Sequence, residues 1–371
     1  MTNTPLPSKP HYQVLDGLRG VASMMVVLMH VCEAHATSHL DMFINHGYLA
    51  VDFFFVLSGF VIGYAYDDRW GRMRTGGFFR RRLIRLHPMV VAGMIVGALL
   101  FYSQAGTLWP MISETPFWKM LLVTVIGLTL VPIPSSMDIR GWHEMHPLNG
   151  PAWSLFFEYA ANILYAFVLR KLPDLVLGIL TAIAALALIQ LAVTSQSGDL
   201  IGGWSLDAPQ LRIGITRLLY PFLAGLLLSR IIRLKKIPSA FTWCSLLTVL
   251  VLAMPRIGGA DTLWMNGWYD ALSVILLFPL IVFLGAGGEI KGKTATAVCR
   301  FLGDLSYPLY ITHYPLVYLY TAWVAEHRTE TGMAVVWGIA VVSAAILLAY
   351  ACLRWYDIPV RKWLSKTVRQ D

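Results

Sequence analysis

Residues 12–31 read YQVLDGLRGVASMMVVLMHV, and this stretch decides the kind of fold that the chain adopts. It is long enough to cross a bilayer as a helix, which takes about 20 mostly apolar residues. It also holds Asp16, Arg19 and His30, and ionisable groups inside a span are costly unless they are paired or functional. The stretch therefore predicts a membrane helix that carries part of a functional site.

The composition of the whole chain extends this prediction to the other segments. Apolar residues make up 57% of the 371 residues, charged residues make up 13%, and the mean hydropathy is +0.62. A soluble domain has roughly 45–50% apolar and about 25% charged residues. These figures exclude a soluble globular protein and the disordered, collagen-like and disulfide-scaffold classes. The sequence predicts an all-α polytopic membrane protein with one integral domain, residues 1–371.

Apolar segments recur along the chain at lengths near that of a membrane span. They are 14–33, 48–66, 88–104, 119–133, 152–169, 174–194, 213–231, 241–254, 270–287, 304–325 and 333–353. The first of them lacks a small-residue cleavage site, so we expect a retained span and no cleavable signal peptide. The segments at 119–133 and 241–254 are short for a spanning helix.

The net charge of +8 helps to orient these segments, because Lys and Arg gather in cytoplasmic loops. Seven arginines lie in 67–85, whereas 33–47 has no Lys or Arg, so the N-terminus is predicted to be cytoplasmic. The later basic clusters fall on the same side only if residues 88–151 cross the membrane an odd number of times, and the simplest solution is that 119–133 is re-entrant or interfacial. The prediction is about ten transmembrane helices, with cytoplasmic tails at 1–11 and 355–371.

Arg19 and His30 are eleven residues apart, which is close to three helical turns, so both side chains face the same side. At 1.5 Å per residue they stand about 16 Å apart along the axis, with Arg19 near the cytoplasmic surface. A neutral histidine is a natural general base near pH 7, whereas a hydrogen-bonded structural histidine is the alternative. Arg19 is expected to pair with Asp16, to reach the interface or to share a site with His30.

Other polar residues stand at or inside the apolar segments. Asp52 lies at an outer helix end, where a cap and a catalytic carboxylate are both possible roles. Glu158 follows Ser154 by four residues, on the same face and, by this count, near the outer side. An unpaired carboxylate there is costly, so a partner or a function is expected. In the segment at 304–325, Tyr307 and His313 are candidates for the site, and a core histidine is the alternative for His313.

The sequence offers little support for a metal site. His143 and His146 lie close together, but no carboxylate or cysteine completes a ligand set. The four cysteines are far apart in the sequence, without metal-ligand spacing, and are expected to be free thiols. No metal is therefore expected.

The arginines Arg81, Arg82 and Arg85 form the densest positive cluster of the chain. They can enforce topology and contact anionic lipid. Their density exceeds what orientation requires, and it suits a polyanion such as the phosphates of coenzyme A.

A family resemblance rests on several stretches that occur in order between residues 12 and 364. They are LDGLRGVASMMVVLMH, GYLAVDFFFVLSGFVIGY, RRRLIRLHP, WSLFFEY, SYPLYITH and DIPVRKWL. Together they resemble the acyltransferase-3 family of integral membrane O-acyltransferases. The combination of an arginine, ten intervening residues and a histidine with the later VDFFFVLSGF carries most of the specificity. The late stretch has Asp357 where glutamate is more often expected.

The resemblance implies a ten-span domain that moves an acyl group, usually acetyl, from cytoplasmic acyl-CoA to a hydroxyl of a glycan or other acceptor. It implies His30 as the essential histidine, as a general base or an acyl carrier, with Arg19 as its partner. Arg82 and Arg85 are implied to bind the donor. Trp153, Ser154 and Glu158 match a further motif of the family.

The expected setting is the bacterial cytoplasmic membrane, with membrane lipids and a glycan acceptor as partners and no nucleic acid. Many family members carry a fused periplasmic esterase-like domain, and because none is expected in these 371 residues, a separate periplasmic acyltransferase is a possible further partner. The alternatives are an acceptor that is a small molecule such as a macrolide, a transporter with an intramembrane polar path, and a structural membrane scaffold. The arginine cluster and the absence of repeats count against the transporter.

Overall fold

A computed structural model describes residue 9 and residues 11–38, 40–232, 236–327 and 331–367. Long helices dominate this part of the chain. They are α1 (Gln13–Glu33), α2 (Ala50–Tyr66), α3 (Thr75–Leu100), α4 (Pro110–Glu114), α5 (Phe117–Leu128), α6 (Ala152–Phe167), α7 (Asp174–Thr194), α8 (Ala208–Ile231), α9 (Ala240–Ala253), α10 (Leu263–Leu272), α11 (Phe278–Ala286), α12 (Lys293–Thr312), α13 (Tyr314–Glu326), α14 (Thr331–Cys352) and α15 (Ile358–Thr367).

Besides the regular helices, the described part of the chain contains two π-helical turns and one short parallel bridge. A single turn of π-helix joins α10 to α11 at Ser273–Leu277, and another joins α14 to α15 at Leu353–Asp357. Among the described residues the only extended pairing is a two-residue parallel bridge between Ile237–Pro238 and Gly288–Glu289. The all-α prediction therefore holds for the bundle.

Eight helices among the described residues are long and apolar enough to cross a membrane. They are Gln13–Glu33, Gly47–Tyr66, Thr75–Leu100, Ala152–Lys171, Asp174–Thr194, Ala208–Ile231, Ala260–Ala286 and Gly332–Lys366. The predicted number was about ten. The difference falls on α9, which has only 14 residues, and on α12, which carries Lys293, Arg300 and Asp304.

Helices α1 and α12 pack side by side and run in the same direction. A Cβ atom on Gly20 would lie 2.5 Å from the carbonyl oxygen of Leu302, and one on Gly303 would lie 2.6 Å from Asp16 Cβ. Small residues allow helix backbones this close in a membrane bundle. The parallel packing sets Arg19 beside Ser306 at one end and His30 beside His313 at the other.

Helices α2 and α8 form a second close pair. A Cβ on Gly59 would meet the carbonyl oxygen of Phe222 at 2.1 Å, and one on Gly225 would meet that of Val56 at 2.0 Å. Apolar side chains of α1, α2, α8 and α11 form one large cluster, and those of α3 and α5 belong to a second.

The segment predicted to be re-entrant forms α5, a 12-residue helix that is too short to span a bilayer alone. Its two flanks lie close together, since Lys119 Nζ donates to the carbonyl of Asp138 at 2.8 Å and Thr115 Oγ1 to that of Ile139 at 3.3 Å. Between these flanks the chain reaches inward until Gly127 faces Met94 of α3. The segment thus enters and leaves at one end of the bundle.

Two helices extend beyond the apolar segments that predicted them. Helix α3 begins at Thr75 and continues through Pro88, so the arginines at 80–85 lie on a helix and not in a loop. The last helix continues through the π turn to Thr367, so the predicted tail is helical over residues 355–367.

Candidate functional site

A cavity of about 1040 Å³ lies among α1, α2, α3, α6, α12 and α15. Its rim, at the end of the bundle where α1 begins, includes the exposed residues Arg81, Arg300, Lys362 and Lys366, here called the basic rim. Eight Lys and Arg side chains line the whole cavity, against four Asp and Glu side chains. The cavity therefore favours a ligand with several negative charges.

Two ion pairs occupy the middle of the cavity. Arg19 Nη2 donates to Asp16 at 2.6 Å, and Arg19 Nε donates to Ser306 Oγ at 3.1 Å. Arg82 Nη2 donates to Glu158 at 2.5 Å, and Glu158 also accepts from Ser58 at 3.1 Å. These contacts come from five helices, α1, α2, α3, α6 and α12, and hold the cavity walls together.

The cavity ends at Ser23, Phe54, Ser154 and Tyr310, here called the closed end. The hydroxyl groups of Ser154 and Tyr310 are 2.8 Å apart, and the ring of Phe54 meets that of Tyr310 edge-on at 5.4 Å. From Gln13 to Ser23 the cavity follows α1 for ten residues, which is about 15 Å of helix.

His30 does not line this cavity. It is seven residues beyond Ser23 on α1, about 10 Å further along the axis. Its ring stacks on His313 with centroids 5.6 Å apart and meets Tyr314 edge-on at 4.7 Å. Its Nδ1 lies 2.7 Å from Glu33 Oε2. Because a carboxylate only accepts hydrogen bonds, Nδ1 carries a proton and Nε2 is left to accept one.

His313 is fully buried beside His30. Its Nδ1 lies 3.0 Å from the carbonyl oxygen of Leu309 and 2.9 Å from that of Tyr310, so this nitrogen is also the protonated one. Its Nε2 has no hydrogen-bond partner among the described residues. Tyr310, which belongs to the closed end, has its ring 6.2 Å from that of His313, so the closed end lies next to the histidine pair.

Glu158 and Asp52, the two carboxylates that the sequence offers as candidates for the site, pair with arginines and not with His30. Glu158 pairs with Arg82 inside the cavity, away from the outer position expected for it. Asp52 is fully buried and pairs with Arg217 of α8 at 2.6 Å. The carboxylate that contacts His30 is Glu33, one turn further along the same helix.

The remaining predicted residues divide into two groups. Arg81, Arg85, Ser154 and Tyr307 line the cavity, and the Tyr307 hydroxyl donates to the carbonyl of Leu86 at 2.6 Å. Trp153 is not among the cavity residues. Its ring lies against the Arg217 guanidinium, 5.3 Å from the ring centroid, which makes it part of the structural contact with Asp52.

Sequence reasoning missed several residues of the site. They are Glu33, Ser306 and Tyr310 near the ion pairs and histidines, and Arg300, Arg361, Lys362 and Lys366 around the cavity opening. Glu33 had a signal, because a residue three positions after His30 shares its helix face. The others depend on how α12 and α15 pack, which no local pattern shows.

The loop between α5 and α6 covers the His30 end of the bundle. Glu144 accepts from Tyr318 at 2.5 Å and lies 3.9 Å from Arg140, whose guanidinium stacks on the Tyr318 ring. Burial raises the pKa of Glu144 to about 7, against the opposing effect of Arg140. Trp142 of this loop is 41% exposed.

The fold and the cavity together define a multi-pass membrane protein built around a basic internal cavity. A family model described as an acyltransferase domain, acyltransferase-3, matches residues 12–354. The chain belongs to this family, and the chain is an O-acyltransferase. The transporter and scaffold alternatives are thereby set aside.

Several curated proteins are similar to the chain. "Protein 2 in picA locus" of Rhizobium radiobacter is 33% identical over 164 residues, which is 41% of this chain and 80% of that protein. "Acyltransferase MdmB" of Streptomyces mycarofaciens is 25% identical over 320 residues, 82% of this chain and 78% of that protein. "Putative O-acetyltransferase SACOL0978" of Staphylococcus aureus strain COL is 23% identical over 376 residues, 94% of this chain but 57% of that protein. No solved structure matches.

Proposed function

We propose that the protein transfers an acetyl group from acetyl-CoA, bound in the basic cavity, to a hydroxyl of a glycan on the opposite side of the membrane. The observation that carries the proposal is the cavity itself, with its positive rim and its end near the histidine pair. Coenzyme A combines phosphate groups at one end with a long, narrow pantetheine arm that ends in the thioester. A cavity with a cationic opening and an extended interior suits that shape and charge.

The proposed chemistry uses His30 and Glu33. Glu33 holds the Nδ1 proton of His30, so Nε2 accepts the proton of the acceptor hydroxyl. The hydroxyl oxygen attacks the thioester carbonyl and the carbon–sulfur bond breaks. The CoA thiolate then takes the proton from the imidazolium, and the acyl group is left as an ester. Arg19, which is about 16 Å before His30 along α1, and Arg82 lie in the cavity, where they are placed to bind the donor and not the reacting carbonyl.

The closed end lies between the space proposed for the donor and the side from which the acceptor approaches. Tyr310 and Ser154 stand between the cavity and the histidine pair, so the donor reaches His30 when their contact opens. The acceptor approaches from the other side, past the loop that carries Trp142 and His143, both exposed. Exposed aromatic rings beside polar groups suit a sugar, which offers an apolar ring face and hydroxyl groups.

The proposed topology has ten spans, with α9 and the α12–α13 pair added to the eight long apolar helices. Both chain ends then lie in the cytoplasm of a bacterial cell, where acetyl-CoA is made, and His30 lies toward the outer face. A reporter that is active only in the cytoplasm, fused to either end, tests this orientation. Activity of both fusions is expected, and loss at one end contradicts an even number of spans.

The test of function is a His30→Ala variant in cells whose surface glycans are analysed by mass spectrometry. We expect loss of the acetyl increment on one glycan, since removal of a general base costs about 10²- to 10⁴-fold in rate. His327→Ala, at an exposed position at the end of α13, is the matched control. Normal acetylation by His30→Ala at normal protein levels contradicts the proposal. If only a small hydroxylated compound loses its acetyl group, the acceptor is that small molecule.

A further inference from the structure

The last helix turns one face toward the cavity. Its cavity-lining residues are Ile358, Arg361, Lys362, Ser365 and Lys366. Successive positions are three, one, three and one residues apart, which places them on one side of a helix. Helix α15 packs against α3, and this side lines the same cavity as Arg81, Arg82 and Arg85 of α3.

The other side of α15 faces outward. Trp355, in the π turn before the helix, is 83% exposed, and Trp363 is 66% exposed. Tryptophan is enriched at the boundary between lipid and water, where its ring spans apolar and wet surroundings. These two residues therefore suit a helix that lies at the membrane surface with its cationic side over the cavity.

The cations of the basic rim differ from those deeper in the cavity. Arg19 and Arg82 are each paired with a carboxylate, and Arg361 pairs with Asp357 at 3.1 Å. In contrast, no carboxylate of the described residues lies within 4 Å of the side-chain nitrogens of Arg300, Lys362 or Lys366. Uncompensated cations that converge on one opening are suited to phosphate groups.

We propose that Lys362 and Lys366 of α15, together with Arg300 of α12, bind the phosphorylated adenosine end of the acyl-CoA donor. The inference rests on the proposed function, and it assigns the phosphates to a part of the cavity that differs from the one expected from the sequence. In this arrangement Arg82 contacts the inner part of the donor and not its phosphates. Arg82 is already paired with Glu158 there. About 15 Å of cavity along α1 is left for the pantetheine arm.

The experiment measures binding of coenzyme A and of 3′-dephospho-coenzyme A to the purified full chain in phosphatidylcholine nanodiscs, by isothermal titration calorimetry. The double variant Lys362→Ala/Lys366→Ala is expected to bind coenzyme A roughly tenfold to a hundredfold more weakly, since it loses charge-assisted hydrogen bonds. Its affinity for the dephospho compound should change less, because one of the phosphates is already absent. Lys291→Ala/Lys293→Ala is the matched control, which removes two exposed charges outside the cavity lining.

Several outcomes overturn the inference. If the wild type binds coenzyme A and the α15 variant binds it equally well, the subsite is wrong and the donor proposal stands. If the wild type does not bind coenzyme A, the donor proposal fails as well. A third arm adds phosphatidylglycerol to the nanodiscs. If the variant loses only an effect of this lipid and keeps its affinity for coenzyme A, the rim binds lipid headgroups and the inference is wrong.

Discussion

His30 and Glu33 occupy the same face of one helix, so the geometry of the pair is fixed by α1 alone. Glu33 is 41% exposed and does not line the donor cavity. A change at this residue should therefore alter the protonation and orientation of His30 without altering how the donor binds.

Glu33→Gln is expected to lower kcat by about tenfold or more and to leave KM for acetyl-CoA within a few-fold of the wild type. The physical reason is that an amide supports the imidazolium less well than a carboxylate does. Initial-rate kinetics of the purified protein with a soluble acceptor measure both constants. Glu114→Gln, at an exposed position in α4, is the control. A proportional rise in KM with kcat unchanged contradicts a role through His30.

Single residues also show where the sequence could and could not guide the assignment. Arg19 and His30 were recognisable, because charged groups inside an apolar span are rare and their spacing is local. Asp52 carried the same signal but serves packing, as the partner of Arg217, which is 165 positions away in the chain. The sequence pattern indicates that a buried carboxylate needs a partner, but only the packing of α2 on α8 identifies the partner of Asp52 as Arg217.

At the scale of the helices, glycine sets how closely the elements approach. Gly225 faces the carbonyl of Val56, and Gly59 faces that of Phe222, so α2 and α8 meet backbone to backbone. The contact holds Asp52 against Arg217 and so positions the helix that carries Phe54 at the closed end.

Gly225→Ala is expected to lower the thermal midpoint of the protein in detergent, because the new methyl group would lie 2.0 Å from a backbone oxygen that cannot move alone. Overpacking of this kind costs about 1–3 kcal/mol or more. Gly178→Ala in α7, where the nearest atom is 4.0 Å from the new Cβ, is the matched control and should be neutral. Equal midpoints for the two variants would show that α2 and α8 do not pack this tightly.

The ends of the helices were harder to predict than their existence. The apolar core of α3 was visible from residue 88 onward, but the helix begins at Thr75, and its polar first half includes Arg82, which pairs with Glu158 inside the cavity. In the same way α15 continues past the apolar segment, since its polar side faces the cavity. Hydropathy marks the surface that faces lipid, and it does not register a helix side that faces a polar interior.

At the scale of the whole molecule, stability should depend on pH through Glu144. Burial raises the pKa of its carboxyl from 4.5 to about 7, so the folded state favours the protonated form. This contribution is fully present below about pH 4.5 and is lost as the pH rises through about 7. Arg140, Asp138 and Tyr318 are the charged or titratable groups that act on it.

The thermal midpoint of the wild type in detergent should therefore fall by a few degrees between pH 5 and pH 8 relative to that of Glu144→Gln. The variant cannot ionise at this position, so the difference between the two proteins isolates this group from the others that titrate. A difference that stays constant over this range would mean that Glu144 ionises normally in the folded protein.

Composition alone predicts that the chain is a membrane protein, because a chain with 57% apolar residues cannot fold as a soluble globule. The cavity was not accessible in this way. Its walls come from six helices that span the chain from α1 to α15, and its charge balance appears only when they are assembled. The arginines of α3 were found, whereas the equally placed Arg300 and Lys362 were not, because they are scattered in the sequence.

The hydrogen bond between Tyr310 and Ser154 has a consequence for the cell as well as for the enzyme. A membrane that stores energy as an ion gradient cannot tolerate a water-filled passage through one of its proteins. If the protein works as proposed, the aromatic ring at the end of the cavity acts as a seal, so that an acyl group can be passed across while protons, salts and the nucleotide stay on their own side. This seal can be tested by measuring how fast a proton gradient decays across sealed vesicles that contain the protein. Vesicles with Tyr310→Ala should lose an imposed gradient faster than vesicles with the wild type.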